Sequence, residues 1–141
     1  ATENTERAAL SSPNDIGILF QLGLLYYQQE RYAESVQILE RAVTINQNYS
    51  NARYFLGLSY AAEGKHDSAI GQFERIRELN PENAEIAAIL ANLKTGRDAL
   101  YGITPPPLDR GEVPVSKEGE EFSEQKSLQE DASMEDEQST E

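Results

Sequence analysis

The sequence predicts an all-α fold of stacked helical hairpins, followed by an acidic tail without regular structure. Three observations predict it. Residues 16–49 align with residues 50–83 at an offset of 34 positions. Within each unit, apolar residues recur every three or four positions, which is the spacing of one helix face. Residues that end helices stand between the apolar stretches, as at Gly64 and at Asn80-Pro81.

The two units share many identical residues at matching places. The matches are Leu22-Gly23-Leu24 with Leu56-Gly57-Leu58, Tyr26 with Tyr60, Glu40-Arg41 with Glu74-Arg75, and Asn46 with Asn80. Each unit reads as two helices, and the complete pattern predicts helices near 14–28, 32–45, 49–62, 66–79 and 83–99. Because Gly23 and Gly57 lack a side chain, we expect a neighbouring helix to approach closely at both places.

The 34-residue unit resembles the tetratricopeptide repeat (TPR) family, whose repeat has this length and a characteristic set of residues. Those positions hold Leu19, Leu22, Gly23, Tyr26, Ser35, Leu39, Ala42 and Gln47 in the first unit, and Arg53, Leu56, Gly57, Tyr60, Ala69, Phe73, Ile76 and Pro81 in the second. The chain departs from the family pattern at Gln47, at Arg53 and at Ile76. The resemblance covers roughly residues 4–100 and implies a right-handed α-solenoid.

The resemblance also suggests how the chain is divided. The expected parts are a last helix of a truncated preceding repeat at 1–12, a first repeat at 16–49, a second repeat at 50–83, a closing helix at 84–101 and a tail at 102–141. Ala8 and Ser12-Pro13 fit the end of a preceding repeat. The first residue is Ala1 rather than Met, so the sequence reads as a piece of a longer protein or as a processed product.

The tail carries most of the excess charge. The whole chain has a net charge of −13. Residues 102–141 hold 12 acidic and 3 basic residues, whereas residues 1–101 hold 13 and 9. Low hydrophobicity with charge of one sign predicts disorder, and the run Thr104-Pro105-Pro106-Pro107 favours an extended polyproline conformation.

Several classes of function are disfavoured by composition. An acidic chain without a basic cluster is a poor partner for nucleic acid or anionic lipid. There is no apolar run of the ~18–20 residues that a membrane span needs, so direct membrane insertion is not expected. The only histidine is His66, there is no cysteine, and no phosphate-binding loop or nucleophile motif appears. We therefore expect no enzyme activity, no cofactor and no metal site, and the compartment stays unassigned.

The family resemblance implies a binding site in the groove that the first helix of each hairpin lines. The residues expected there are Phe20, Gln21, Leu24, Tyr27, Gln28, Asn51, Tyr54, Phe55, Leu58, Ile89 and Asn92. Some family members clamp a terminal carboxylate with basic residues at positions that here hold Phe20, Leu24 and Phe55, so no such clamp is expected. One aromatic of the pair Tyr54-Phe55 would suffice for the core, and we expect the other to point into the groove. Such a groove suits an apolar or amphipathic peptide.

Two alternatives to a peptide groove remain open at this level. The apolar helix faces would also serve internal packing or self-association. A structural role is the second alternative, in which the chain is the terminal array of a larger protein. The run from Asn92 to Ile103, followed by prolines, is similar to the end of repeat arrays attached to bacterial polytopic membrane proteins, including O-antigen ligases.

Overall fold

The computed structural model describes residues 1–104 and Pro107, and most of this part of the chain is α-helical. The helices are α1 (Thr2–Ser11), α2 (Ile16–Gln28), α3 (Tyr32–Ile45), α4 (Ser50–Ala62), α5 (His66–Leu79) and α6 (Ala84–Lys94). The described residues contain no β-strand. The predicted disordered tail lies, apart from 102–104 and Pro107, outside the described residues.

Each helix packs against the next along the chain, and α2 also contacts α4. The hairpins α2–α3 and α4–α5 therefore lie side by side, and α6 closes the stack. This arrangement confirms the predicted all-α solenoid of stacked hairpins. The predicted helices agree with the structure within two residues at each end, except that α6 ends at Lys94 rather than near residue 99.

The turn inside each hairpin has the same geometry in both repeats. Glu30 and Gly64, 34 residues apart, have positive φ angles of 61° and 79°. The amide that follows each of them donates to a carbonyl of the preceding helix at 2.9 Å, from Arg31 to Tyr26 and from Lys65 to Tyr60. This is the hydrogen-bonded reversal that commonly ends a helix, with the left-handed residue at its centre.

The close approach predicted at the two helical glycines is confirmed. A Cβ atom added to Gly23 would lie 2.4 Å from a methyl carbon of Leu39, and one added to Gly57 would lie 2.5 Å from the ring of Phe73. Leu39 and Phe73 are fully buried, so each side chain is enclosed by other residues of the protein. Within each hairpin, the second helix therefore sits on the glycine of the first.

A second contact repeats at the junctions between hairpins. The hydroxyl of Tyr26 donates to the carboxylate of Glu6, and 34 residues later the hydroxyl of Tyr60 donates to Glu40. After another 34 residues, the ammonium of Lys94 lies 2.9 Å from the carboxylate of Glu74. The contact between α1 and α2 is thus repeated between α3 and α4 and again between α5 and α6.

Two of the departures from the family pattern interact with each other. Arg53 Nε donates to the carbonyl of Gln47 at 2.7 Å, and its Nη1 donates to Gln72 Oε1 at 2.8 Å. Burial lowers the pKa of the Arg53 guanidinium, and the nearby charge of Arg75 lowers it further. The guanidinium therefore ties the loop before α4 to α5, while Tyr54 and Leu56 fill the core on either side.

Candidate functional site

The predicted groove residues on α2 form an accessible row. Phe20, Leu24 and Tyr27 are half-buried, and Gln21 and Gln28 are exposed. Their spacing of three or four residues puts the apolar members on one face of the helix. This row, called the α2 row below, is the part of the predicted site that a partner can reach directly.

The predicted groove residues on α4 are instead inside the molecule. Asn51, Tyr54, Phe55 and Leu58 are only 1%, 0%, 2% and 4% exposed. The expectation that one of the two aromatics points into an open groove is therefore wrong. The Tyr54 ring packs edge-on against Phe73 at 5.6 Å and against Phe55 at 5.2 Å, because both rings fill space that the surrounding helices leave.

The predicted residues on α6 are buried as well. Ile89 is fully buried and Asn92 is 7% exposed. The amide nitrogen of Asn92 donates to the carbonyls of Ala99 and Tyr101, both at 2.9 Å. This side chain already holds a segment of its own chain, and the α4 and α6 members of the site are not open to an outside ligand in this conformation.

Aromatic rings connect the α2 row to the core. The ring of Phe20 lies 5.4 Å from Tyr49 and 6.2 Å from Phe55. The ring of Tyr27 lies 5.4 Å from Phe55 and 5.8 Å from Tyr32. The rings of Phe20 and Tyr27 thus both pack against the buried ring of Phe55. Such backing keeps Phe20 and Tyr27 in fixed orientations, which lowers the entropy cost of binding.

Sequence reasoning missed Tyr49 and Tyr32, whose rings contact Phe20 and Tyr27 of the α2 row. Tyr49 precedes α4 at the position that Asp15 occupies before α2 and Asn83 before α6. Asp15 and Asn83 accept hydrogen bonds from the first turn of their helices, whereas Tyr49 makes no such cap. The sequence did contain a sign of this role: an aromatic residue stands where a capping residue is usual, so the helix lacks a stabilising cap there.

The α2 row is electrically neutral. Burial, with a smaller contribution from Tyr32, raises the pKa of the Tyr27 phenol to about 12, so this group stays protonated at neutral pH. The guanidinium of Arg31 lies over the ring of Tyr26 and pairs with Glu34 at 2.8 Å. The surface therefore offers aromatic, aliphatic and amide groups rather than a charge for a carboxylate.

Neither a metal site nor a membrane helix is found within residues 1–104 and Pro107. No three His, Asp or Glu side chains there are placed to hold a metal ion. None of the helices in this part of the chain has the length and apolar content needed to cross a bilayer. The only histidine, His66, is exposed at the start of α5.

The comparison with protein families agrees with this geometry, since residues 26–93 match the family described as tetratricopeptide repeat. Residues 26–93 are tetratricopeptide repeats. Arrays of this kind stack small helical units into extended concave binding surfaces. The match therefore supports a general role for the chain as a protein–protein interaction scaffold.

Two known proteins show the same likeness. Anaphase-promoting complex subunit 3 of Schizosaccharomyces pombe is 36% identical over 55 residues, which are 39% of this chain and 8% of that protein. The solved structure "MamA MSR-1 C2" is 27% identical with a TM-score of 0.64, covering 74% of this chain and 60% of that one. The chain thus spans less than a tenth of the first protein and three fifths of the second.

Proposed function

We propose that this chain is a scaffold that binds an apolar or amphipathic segment of a partner protein on the α2 row. The observation that supports this proposal is the contrast between two identical residues at the same repeat position. Leu24 on α2 is half-buried, whereas Leu58 on α4 is 4% exposed. Of the two equivalent rows, the α2 row leaves large apolar side chains open to a partner, whereas in the row on α4 only Ala61 and Ala62 keep some exposure.

The chemistry of the row suggests what the partner segment looks like. Phe20, Leu24 and Tyr27 would receive its apolar side chains, and half-exposed aromatic rings are good anchors for binding energy. The exposed amides of Gln21 and Gln28 offer donors and acceptors to a peptide backbone at the edges of the row. Because no charged side chain lies in the row, binding would vary little with salt concentration.

The proposal assigns no catalytic step and no cofactor to this chain. The aliphatic and amide groups of this site supply neither a nucleophile nor a general base, and the phenol of Tyr27, with its pKa raised to about 12, stays protonated at neutral pH. Binding through shape and apolar contact is the chemistry that such residues carry. The fold alone does not decide whether a protein carries out catalysis, because function depends on the residues of the site.

A peptide-display selection on the purified chain tests the proposal. Selected peptides should share apolar anchors, and Leu24→Glu should weaken their binding by about 2 kcal/mol, because a carboxylate would be placed among the aromatic rings. Ile45→Glu is the matched control, since Ile45 is an exposed apolar residue at the end of α3. Equal binding of the selected peptides by wild type and Leu24→Glu would refute the proposed site.

A second role is favoured by the face that α1 leaves uncovered. Thr5 and Ala8 stand at the positions of Leu39 and Ala42, which are fully buried, with Leu39 packed on Gly23 of the first helix in its own hairpin. In α1 the same two positions are half-buried. We propose as the alternative that this face stacks on a further helix, which would make the chain the terminal array of a larger assembly.

Sedimentation of the purified chain distinguishes the two roles. If the α1 face is an assembly surface, the chain should self-associate and Ala8→Arg should abolish the association, because the added charge would be buried at the contact. Leu24→Glu should leave that association unchanged. An association that survives Ala8→Arg would count against the second role, as would a chain that stays monomeric at high concentration.

A further inference from the structure

The chain reverses direction directly after α6. Gly96 has a φ of 81°, and the amide of Arg97 donates to the carbonyl of Asn92 at 2.8 Å, which closes the end of the helix. Residues 98–104, called the return segment below, then form two successive turns. In these turns the backbone amide of Tyr101 donates to the carbonyl of Asp98, and the amide of Ile103 donates to the carbonyl of Leu100, both at 3.0 Å.

A single side chain of α6 holds the return segment in place. Asn92 uses both hydrogens of its amide, one for the carbonyl of Ala99 and one for that of Tyr101. In the family register, Asn92 occupies the groove position that Leu24 occupies on α2 and Leu58 on α4. The return segment is therefore fastened to a groove residue rather than to the back of the helix.

Apolar contacts accompany these hydrogen bonds. Ala99 is buried, and Leu100 and Ile103 pack against the main core cluster, which draws residues from all the helices from α2 to α6 and includes the groove residues Tyr54, Leu58 and Ile89. Farther along the chain, Pro107 is also buried. Tyr101, which lies between Leu100 and Ile103 in the sequence, points outward and is 60% exposed. The return segment thus has one apolar side against the protein and one side in solvent.

The two ends of the groove also differ in burial. Both α2 and α6 lie at an end of the row of first helices, α2 before α4 and α6 after it. Gln21 on α2 is exposed, yet its counterpart Ile89 on α6 is fully buried. Leu24 is half-buried, yet its counterpart Asn92 is 7% exposed. The return segment lies at the end with the extra burial.

We propose that the return segment is an intramolecular ligand of the α4–α6 half of the groove, held there reversibly in place of an outside peptide. The inference rests on the groove of the proposed function but not on any partner of the α2 row. It predicts that a free peptide with the same sequence competes with the return segment for the same binding site. A partner that reaches beyond α2 must displace Leu100 and Ile103 first.

The test uses the full chain and a labelled peptide of residues 97–104 with blocked ends. In the double variant Leu100→Asp with Ile103→Asp, the tethered segment loses its apolar anchors while the groove stays intact. Because a tethered competitor reduces the competent fraction of the protein, the variant should bind the peptide about tenfold more tightly than wild type does. Tyr101→Asp is the control, since it places one carboxylate of the same kind on the exposed side of the return segment and should behave as wild type.

Hydrogen exchange supplies an independent readout should the double variant lose helicity. In the wild type, the amides of Tyr101 and Ile103 should exchange faster than those in the middle of α4, because a docked segment opens without global unfolding. Asn92→Asp should speed them further and leave α4 unchanged. The proposal is overturned if the helical double variant binds the peptide no better than wild type. Exchange of these two amides only through global unfolding would overturn it too.

The two proposals can fail separately. Loss of selected-peptide binding in the Leu24→Glu variant bears on the proposed function of the α2 row alone. It does not bear on the binding of the return segment to the α4–α6 half of the groove. Tighter binding of the 97–104 peptide to the double variant concerns the other half of the groove. A peptide that binds the double variant equally well with and without Leu24→Glu would place the two sites apart.

Discussion

The hydroxyl of Ser59 on α4 donates a hydrogen bond to the hydroxyl oxygen of Ser35 on α3 at 3.1 Å, inside the stack. Ser35 in turn donates to the carbonyl of Gly23 on α2 at 2.9 Å. Both serines are fully buried, so this chain of hydrogen bonds joins three successive helices without water. The corresponding residues in the other repeat are Ala69 and Leu25, so the link belongs to the junction between the two hairpins.

We predict unequal costs for removing the two serines. Ser35→Ala leaves the buried hydroxyl of Ser59 without its acceptor and should destabilise the chain by about 1–3 kcal/mol. Ser59→Ala keeps the bond from Ser35 to Gly23 and should cost only about 0.5–1.5 kcal/mol. In urea denaturation, the double variant should be no less stable than Ser35→Ala alone. Additive costs in this double-mutant cycle would show that the two hydroxyls are not coupled.

The helical glycines give the sharpest test of packing inside a hairpin. Gly57→Ala should destabilise the chain by about 1–3 kcal/mol, because its methyl group would overlap the buried ring of Phe73. Gly71→Ala is the matched control on α5, where an added Cβ meets nothing within 4 Å. That control should stabilise the chain by about 0.5–1 kcal/mol through helix propensity. Equal denaturant midpoints for the two variants would contradict this account of the close approach.

Much of the fold was predictable because the repeat supplies its own internal check. A residue such as Gly57 is informative since Gly23 stands 34 positions earlier against an equivalent partner. The end of α6 was misplaced at residue 99, although the 34-residue offset from the end of α4 at Ala62 points to residue 96. The local sequence Thr95-Gly96 ends the helix sooner, because Gly96 adopts the left-handed conformation that reverses the chain.

The candidate site was predictable in register but not in exposure. Repeat positions place Leu24 and Leu58 on equivalent faces, and the structure confirms that both lie on first helices. Their different exposure depends on tertiary contacts, because α4 lies inside the stack and α2 lies nearer one end, and such contacts carry no periodic signal. The two carbonyls that Asn92 holds are contacts of this kind, and no pattern of residue types announces a side-chain bond to a backbone seven or nine residues away.

The turn inside the first hairpin carries a residue that suits it poorly. Glu30 adopts a φ of 61°, where its equivalent in the second hairpin is Gly64. Since a side chain in this region costs about 1–2 kcal/mol, Glu30→Gly should stabilise the chain by roughly 1 kcal/mol in thermal or urea unfolding. Glu30→Ala removes the same charge but keeps a Cβ atom, so it should not stabilise to the same extent. A Gly variant no more stable than the Ala variant would rule out backbone strain at this turn.

Three tyrosines make the fold sensitive to alkaline pH. Burial raises the pKa values of Tyr26, Tyr27 and Tyr60 to about 12. Hydrogen bonds to the carboxylates of Glu6 and Glu40 add to the shift for Tyr26 and Tyr60, because a phenolate there would face a second negative charge. In the unfolded chain each phenol titrates near about 10, so the folded state holds these protons more tightly.

The sign of the linkage follows from that difference. A folded pKa above the unfolded value gives stability that is complete below pH ~10 and is lost as the pH rises through the folded pKa near 12. Urea unfolding should therefore give a free energy that falls steeply over this window. Tyr60→Phe should lower the stability at neutral pH and flatten the fall, since Phe has no proton to lose. If all seven tyrosines of the chain ionise together near pH ~10 while the helices remain folded, the buried phenols are not held as described.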